Sequence, residues 1–278
     1  MKLLGLIVLC TAFGGIASAA FAGVFLLVPE RTGLRMLPHF ISFATGALLG
    51  AALLALLPEA IETVGPGGAH GIGLALVAGF GVFFLIEKVV LWRHAHSHGE
   101  EVSGSAEHAH AEAQHGTPGH QHTGHAHSHV GAAGVLVLVG DSIHNALDGI
   151  LIAAAFLTSV PLGLVTTFAV AAHEIPHRVG DFAILVHAGL SRPRALILNM
   201  ATGLGSVLGG IVAWFGLQRA MGALPYALAL AAAGFLYIAA AGLIPGLHRR
   251  ADPLTSLHQI VLMALGVGVI AWAQSLAH

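Results

Sequence analysis

Two short segments carry residues whose types and spacing could bind a metal ion. One reads HEIPH, residues 173–177, and matches the pattern H-E-x-x-H. In zinc proteases this pattern places two histidines one helical turn apart to hold the metal, while the glutamate activates water. The other segment is HNALD, residues 144–148, where a histidine and an aspartate are also four residues apart. Because side chains at i and i+4 share one face of a helix, each segment predicts a pair of ligands.

Each segment also offers an oxygen ligand one residue beyond its first histidine. Asn145 and Glu174 lie about 100° around the helix from His144 and His173, where they could build a second site richer in oxygen. Imidazole and carboxylate ligands suit zinc, and also cadmium, ferrous iron or manganese. The predicted metal ligands are His144, Asn145, Asp148, His173, Glu174 and His177.

The composition shows what surrounds these segments. Of 278 residues, 56% are hydrophobic and only 9% are charged, and the mean hydropathy is +0.85. So apolar a chain is predicted to be an integral membrane protein. The single cysteine, Cys10, excludes an internal disulfide. Without a C-x-x-C pair, the sequence gives no indication of a thiolate zinc site. The net charge of −2, without a basic patch, gives no reason to expect nucleic acid as a partner.

Apolar runs of about 20 residues predict an all-α integral membrane protein with eight transmembrane helices in a lipid bilayer. Proline and glycine mark the short connections between them. The predicted spans are residues 4–28, 40–62, 71–92, 133–157, 163–190, 195–218, 225–247 and 257–277. The first run also fits a secretory signal, because Lys2 precedes an apolar stretch and residues 17–19 resemble a cleavage site.

Lysine and arginine predict the orientation, since positive residues stay on the cytoplasmic side. With eight spans, one side of the membrane receives nearly all of these residues, and the other receives only Lys2 and Arg219. Both termini should then be non-cytoplasmic. The loop that follows the third span should lie in the cytoplasm.

That loop differs in composition from the rest of the chain. It carries eleven of the twenty histidines among glycine, serine, alanine and glutamate. Such a segment is predicted to be disordered and to bind zinc-like cations weakly, or to be a flexible tether. The chain therefore divides into helices 1–3 (residues 1–93), a His-rich cytoplasmic loop (94–132) and helices 4–8 with the metal site (133–278).

The two chelating segments fall at similar depths in the fourth and fifth spans. At 1.5 Å per residue, His144 and His173 each lie about 15–17 Å from one end of their span, near the membrane midplane. The short turn between these spans predicts antiparallel neighbours. An ionisable group in the bilayer core costs about 2.5–3.5 kcal/mol, so six chelators at one depth indicate a shared metal site.

Pro176 separates two interpretations of HEIPH. It removes a backbone donor and frees the carbonyl oxygen of Ala172, which should distort the helix within the motif. An intramembrane zinc protease, with Glu174 as general base, would need a regular helix and a third ligand from a later segment. A broken helix at the midplane is instead typical of ion sites in transporters.

The motifs HNALDG (144–149) and HEIPHRVGDFAILVHAG (173–189) resemble those of the ZIP family (Zrt- and Irt-like proteins) of divalent metal transporters, in its subfamily with HNxxDG and HExPHExGD signatures. The resemblance extends to SFATGALLGAALLALLPEA (42–60), AGFGVFFLIEK (78–88) and GFLYIAAAGLIPGL (234–247). It implies no enzymatic activity.

The function that the resemblance implies is transport of zinc, or of cadmium, iron or manganese, toward the cytoplasm by alternating access. The six predicted ligands would form a binuclear centre. The membrane would be the plasma (inner) membrane, and the resemblance leaves a homodimer open.

The chain departs from the subfamily pattern at five positions. Arg178 replaces a second glutamate and lies four residues after Glu174, the favourable order for an ion pair that could weaken the second metal position. Small uncharged residues replace polar ones at the other four positions, which are Ala51, Ala55, Gly242 and Gly246. These departures keep a membrane metal sensor without transport as an alternative.

Overall fold

The computed structural model describes residues 2–25, 30–65, 67–88, 128–248 and 252–276. These residues are helical almost throughout, and no strand occurs among them. The predicted all-α fold class is therefore confirmed. Most of the predicted His-rich loop lies outside the described residues, but helix α6 begins at Ser128 and so includes the last residues assigned to that loop.

The first half of the chain folds into three helical rods. The rods are α1 (Lys2–Ala12), a π-helical segment (Phe13–Ala17) and α2 (Ser18–Phe25); α3 (Glu30–Gly50), a π-helical segment (Ala51–Leu56) and α4 (Leu57–Val64); and α5 (Ala69–Lys88). The first rod contacts α6, α7 and α9, so the run that also fitted a secretory signal is part of the bundle.

The second half begins with the two helices that carry the chelating segments. Its elements are α6 (Ser128–Thr158), α7 (Val160–His187), α8 (Arg192–Thr202), α9 (Leu204–Leu217), a 3₁₀ turn (Met221–Ala223), α10 (Leu224–Tyr237), a π-helical segment (Ile238–Leu243), α11 (Ile244–His248) and α12 (Pro253–Ser275). Most helical segments agree with the predicted spans to within about five residues at their described ends, but α3 begins at Glu30, ten residues before the predicted second span.

Seven helical stretches of the described chain are long and apolar enough to cross a membrane. They correspond to seven of the eight predicted spans. The remaining one, α7, has 28 residues and is therefore about 42 Å long, but Glu174, Arg178 and Asp181 lower its hydropathy. Helices α2, α3, α6 and α12 pack around it. The count of eight spans and the outward termini stay predictions.

The outer surface of the bundle is apolar, and the buried polar residues inside it are clustered on a few helices. Large hydrophobic side chains are exposed on the outer faces of α5, α9 and α12, for example Val77, Val212 and Trp272. Buried polar and charged residues are concentrated instead on α6, α7 and α8. This distribution suits surroundings of hydrocarbon, where a polar group must find its partners inside the protein.

A single residue connects α6 to α7. Ser159 is extended and its side chain accepts a hydrogen bond from the backbone N–H of Leu162, while Pro161 lies in the first turn of α7. A serine cap followed by proline is a strong helix start. The turn folds α7 back along α6, which confirms that the two helices are antiparallel neighbours.

Helix α7 continues without interruption through Pro176 from Val160 to His187. The expectation of a break within HEIPH was wrong. Loss of one backbone hydrogen bond is tolerated here because neighbouring helices surround this part of α7, as happens in other membrane helices that contain proline. The irregular backbone lies instead in the three π-helical segments.

Glycine allows α6 and α9 to approach backbone to backbone. A methyl group added at Gly149 would lie 1.9 Å from the carbonyl oxygen of Ser206, and one added at Gly209 would lie 2.0 Å from that of Ala146. Small residues at such contacts are the usual means by which membrane helices pack closely. This contact fixes the part of α6 that bears residues 144–148.

We expect Gly209→Ala to destabilise the bundle by roughly 1–3 kcal/mol, because the added methyl group would force α6 and α9 apart. Gly216→Ala in the same helix is the matched control, since no atom of the described residues, apart from the local backbone, lies within 4 Å of an added methyl group there. The measurement is the thermal unfolding midpoint of each purified variant in detergent. Equal midpoints for the two variants would contradict this account of the α6–α9 contact.

Candidate metal centre

Helices α6 and α7 bring four of the six predicted ligands around one point. Ligand atoms of His144, Asp148, His173 and Glu174 all lie within 4.8 Å of one another. Asp148, His173 and Glu174 are buried, and the side chain of His144 is 21% exposed. We call these four residues the primary group.

The separations within the primary group are those of ligands around one ion. His144 Nε2 lies 3.4 Å from His173 Nε2 and 3.5 Å from Glu174 Oε1. Asp148 Oδ2 lies 3.5 Å from His173 Nε2 and 3.7 Å from His144 Nε2. A zinc ion with bonds of about 2.0–2.2 Å separates tetrahedral ligands by about 3.3–3.6 Å. The four side chains could therefore hold a single zinc ion with little rearrangement.

Hydrogen bonding leaves the ligand atoms free. His173 Nδ1 lies 3.2 Å from the carbonyl oxygen of Ala169, so an N–H donated there turns the lone pair of Nε2 toward the other ligands. Asp148 Oδ2 and Glu174 Oε1 are buried, and neither has a hydrogen-bond partner among the described residues. Since buried carboxylate oxygens normally have donors, these two oxygens indicate a site for a cation.

His177 lies beside the primary group but faces other partners. Its ring stacks on that of His144, with centroids 5.3 Å apart and planes inclined by 15°. Its Nδ1 lies 2.8 Å from Asp181 Oδ2. Together with Asp141 and Glu174 it forms a second set of potential ligands, which we call the secondary group. The two histidines of HEIPH therefore belong to different groups, unlike those of a zinc protease, which share one metal.

Arg178 forms ion pairs with the two carboxylates of the secondary group. Its fully buried guanidinium donates to Glu174 Oε2 at 2.6 Å and also to Asp141 Oδ2. The predicted ion pair between Arg178 and Glu174 is thus present. The guanidinium also donates to Asn145 Oδ1 at 2.6 Å. Asn145, a predicted ligand, is therefore bonded to Arg178 and does not join the primary group.

Two residues of α8 that the sequence did not single out complete the surroundings of Arg178. Asn199 accepts from the guanidinium through its backbone and side-chain oxygens, each at 2.9 Å, and its amide donates back to the carbonyl oxygen of Arg178. Thr202 Oγ1 accepts as well. The sequence indicated this contact only through Asn199, a strongly polar residue within a predicted apolar span.

A cavity of about 390 Å³ reaches the primary group from one end of the bundle. Acidic and imidazole side chains from α6 and α7 line it, and the remaining wall comes from α5 and from the rod that contains α10. The residues that line the cavity include Asp141, His144, His177, Asp181, Phe83, Glu87, Tyr237 and Gly242. The cavity lies at the end of the bundle where α5 finishes and α6 begins.

The opposite side of the primary group is closed by packed hydrophobic side chains. One helical turn beyond Asp148 and before His173, Ile152 and Ala169 are fully buried in the main hydrophobic core. Phe235 of α10 also packs on the ring of His173, with centroids 6.2 Å apart. In this conformation the group is accessible from the cavity side and sealed from the other.

Comparison with known proteins agrees with this architecture. The family model described as ZIP Zinc transporter matches residues 3–274. The chain is 32% identical over 298 residues to "Zinc transporter ZIP13" of Danio rerio, covering 94% of this chain and 85% of the relative. The human protein of the same name is also 32% identical, with 94% and 80% covered.

A second group of relatives carries a different name. "Zinc transporter SLC39A7" of Mus musculus is 30% identical over 317 residues, with 92% of this chain and 67% of the relative covered. The match to the family model over nearly the whole chain, together with the helical bundle and its apolar outer surface, shows that this multi-pass membrane protein belongs to the ZIP family of zinc transporters, which are not enzymes.

Proposed function

We propose that this protein carries zinc across the membrane toward the cytoplasm by alternating access, with the primary group as its transport site. The observation that carries the proposal is the pair of buried carboxylate oxygens, Asp148 Oδ2 and Glu174 Oε1, that have no donor among the described residues. They face two imidazole nitrogens at distances that fit ligands of one zinc ion. Membership of a family of zinc transporters supports the same cargo.

The ligand chemistry favours zinc without demanding it. Two imidazoles and two carboxylates form a site of nitrogen and oxygen donors, which divalent zinc accepts readily in tetrahedral geometry. Cadmium, ferrous iron and manganese can use the same donors, and geometry and availability decide among them. The relatives named as zinc transporters support zinc as the physiological ion.

The one-sided cavity supports a conformation open toward the cytoplasm. The distribution of positive residues predicts that the segment between α5 and α6 lies on the cytoplasmic side, and the cavity opens at that end of the bundle. An ion entering from the other side would need the packed core around Ile152 to open. We place the bending at the π-helical segments Ala51–Leu56 and Ile238–Leu243, which border this core, because such segments are frequent at functional sites.

The cavity wall offers a path away from the primary group. His177 is 43% exposed to it, and Asp141 and Asp181 lie one helical turn closer to the cytoplasmic end. Their oxygens and nitrogens can pass an ion onward before it meets water. In this proposal the His-rich loop, residues 94–132, receives the ion, while residues 1–93 and 133–278 together form the membrane bundle.

We expect His173→Ala to lower saturable zinc uptake by at least about tenfold, because it removes a buried ligand of the primary group. His187→Ala is the matched control, since this histidine lies on the same helix but is exposed and bonds only to a carbonyl oxygen of its own helix. The measurement is uptake of radioactive zinc into proteoliposomes. Equal uptake by both variants would end the assignment of the transport site.

The orientation has a separate test in labelling of introduced cysteines on a Cys10→Ala background. Gly242→Cys, in the cavity wall, should react with a membrane-impermeant thiol reagent from the cytoplasmic side, whereas Ala55→Cys, in the packed core, should be protected. Saturating zinc should slow the reaction at position 242. Labelling of position 242 only from the outer side would contradict the proposed orientation.

A further inference from the structure

We infer that the guanidinium of Arg178 permanently occupies the place of a second metal ion, so that the centre holds one ion per chain and not two. The inference rests on the proposed transport site. It concerns the secondary group, where a binuclear centre would place its second ion. In this chain a side chain supplies the positive charge at that place.

The contacts of Arg178 engage three of the residues that would hold a second ion. Glu174 Oε2 and Asp141 Oδ2 both accept from the guanidinium, and so does Asn145 Oδ1. Two of these residues are members of the secondary group, and the third is the asparagine whose oxygen was predicted as a ligand. A divalent ion could bind there only by displacing the guanidinium from all three oxygens.

The guanidinium is held in this place from several sides. It is fully buried, and oxygens from α6, from α8 and from its own helix surround it. The planar fork of an arginine suits several acceptors at once, and its charge is not lost at any physiological pH. Asn199 ties α8 to the backbone of Arg178 in addition, through a hydrogen bond of 2.9 Å to its carbonyl oxygen. A cation fixed in this way is part of the protein and is not exchanged during transport.

The primary group differs in the feature that matters for metal binding. Its two carboxylate oxygens have no donor among the described residues, while the carboxylates of the secondary group each spend an oxygen on Arg178. Glu174 belongs to both groups, and its two carboxylate oxygens have different partners. Oε2 is bonded to the guanidinium and Oε1 faces His144 at 3.5 Å. Arg178 is therefore a positioning residue that aims Glu174 at the single ion.

The test is the number of zinc ions retained per chain after gel filtration of the purified full-length protein, measured by mass spectrometry of the metal. Arg178→Glu removes the fixed cation and supplies a carboxylate, so we expect it to retain one zinc ion more than the wild type. Arg178→Lys keeps a positive charge at this place and should retain the same number of zinc ions as the wild type. Zinc bound by the His-rich loop is common to all variants and cancels in these differences.

A second comparison does not depend on altering Arg178. His177→Ala removes a member of the secondary group that is not in the primary group, and it should leave zinc retention unchanged, whereas His173→Ala should lose one ion. No gain by a folded Arg178→Glu variant, or loss of one ion by His177→Ala, would overturn the inference. If Arg178→Glu aggregates, the His177→Ala comparison decides alone. Failure of the proposed function would look different, because zinc retention would then be unaffected by His173→Ala.

Discussion

An ionised side chain in the middle of a membrane protein must be surrounded by polar partners, because hydrocarbon offers it none. In this bundle that requirement gathers α6, α7 and α8 around Arg178. Asp141 and Glu174 neutralise the guanidinium, and Asn199 and Thr202 accept its remaining hydrogen bonds. These contacts connect the three helices to one another beside the primary group, and Glu174 links the buried charge to the proposed ligands.

The backbone packing allows these polar contacts to form at short range. Glycine at positions 149 and 209 lets α6 and α9 touch through their backbones, and alanine dominates the core that α6 shares with α10. Small residues contribute little hydrophobic contact of their own, but they let long side chains such as Arg178 reach across the gap between helices. Close packing and buried charge therefore support each other.

Much of the fold could be predicted from the sequence, because hydropathy and charge report directly on membrane spans. The helical spacing of His144, Asp148 and His173, and the pairing of Glu174 with Arg178, also followed from position alone. The division of the predicted ligands between two groups could not be predicted. Which way a side chain turns depends on partners from distant segments, and Asn145 turns toward Arg178 only because α8 holds the guanidinium there.

The regularity of α7 at Pro176 was missed for a similar reason. A proline lacks one donor wherever it occurs, but whether the helix then breaks depends on the packing around it, which local sequence does not report. The polar residues on α8 were overlooked because an isolated asparagine in an apolar run has no spacing rule that assigns it a partner.

All four residues of the primary group come from two helices joined through the single residue Ser159. The proposed ligands thus all come from one hairpin, which α8 supports through Arg178, and the remaining helices form the walls around it. Substitutions in these walls leave the proposed ligands in place. This modular construction explains how the chain can bear small residues at Ala51, Ala55, Gly242 and Gly246, all on other helices, and still keep a complete set of ligands. The residues of the surrounding helices and the proposed ligands can therefore be substituted independently of each other.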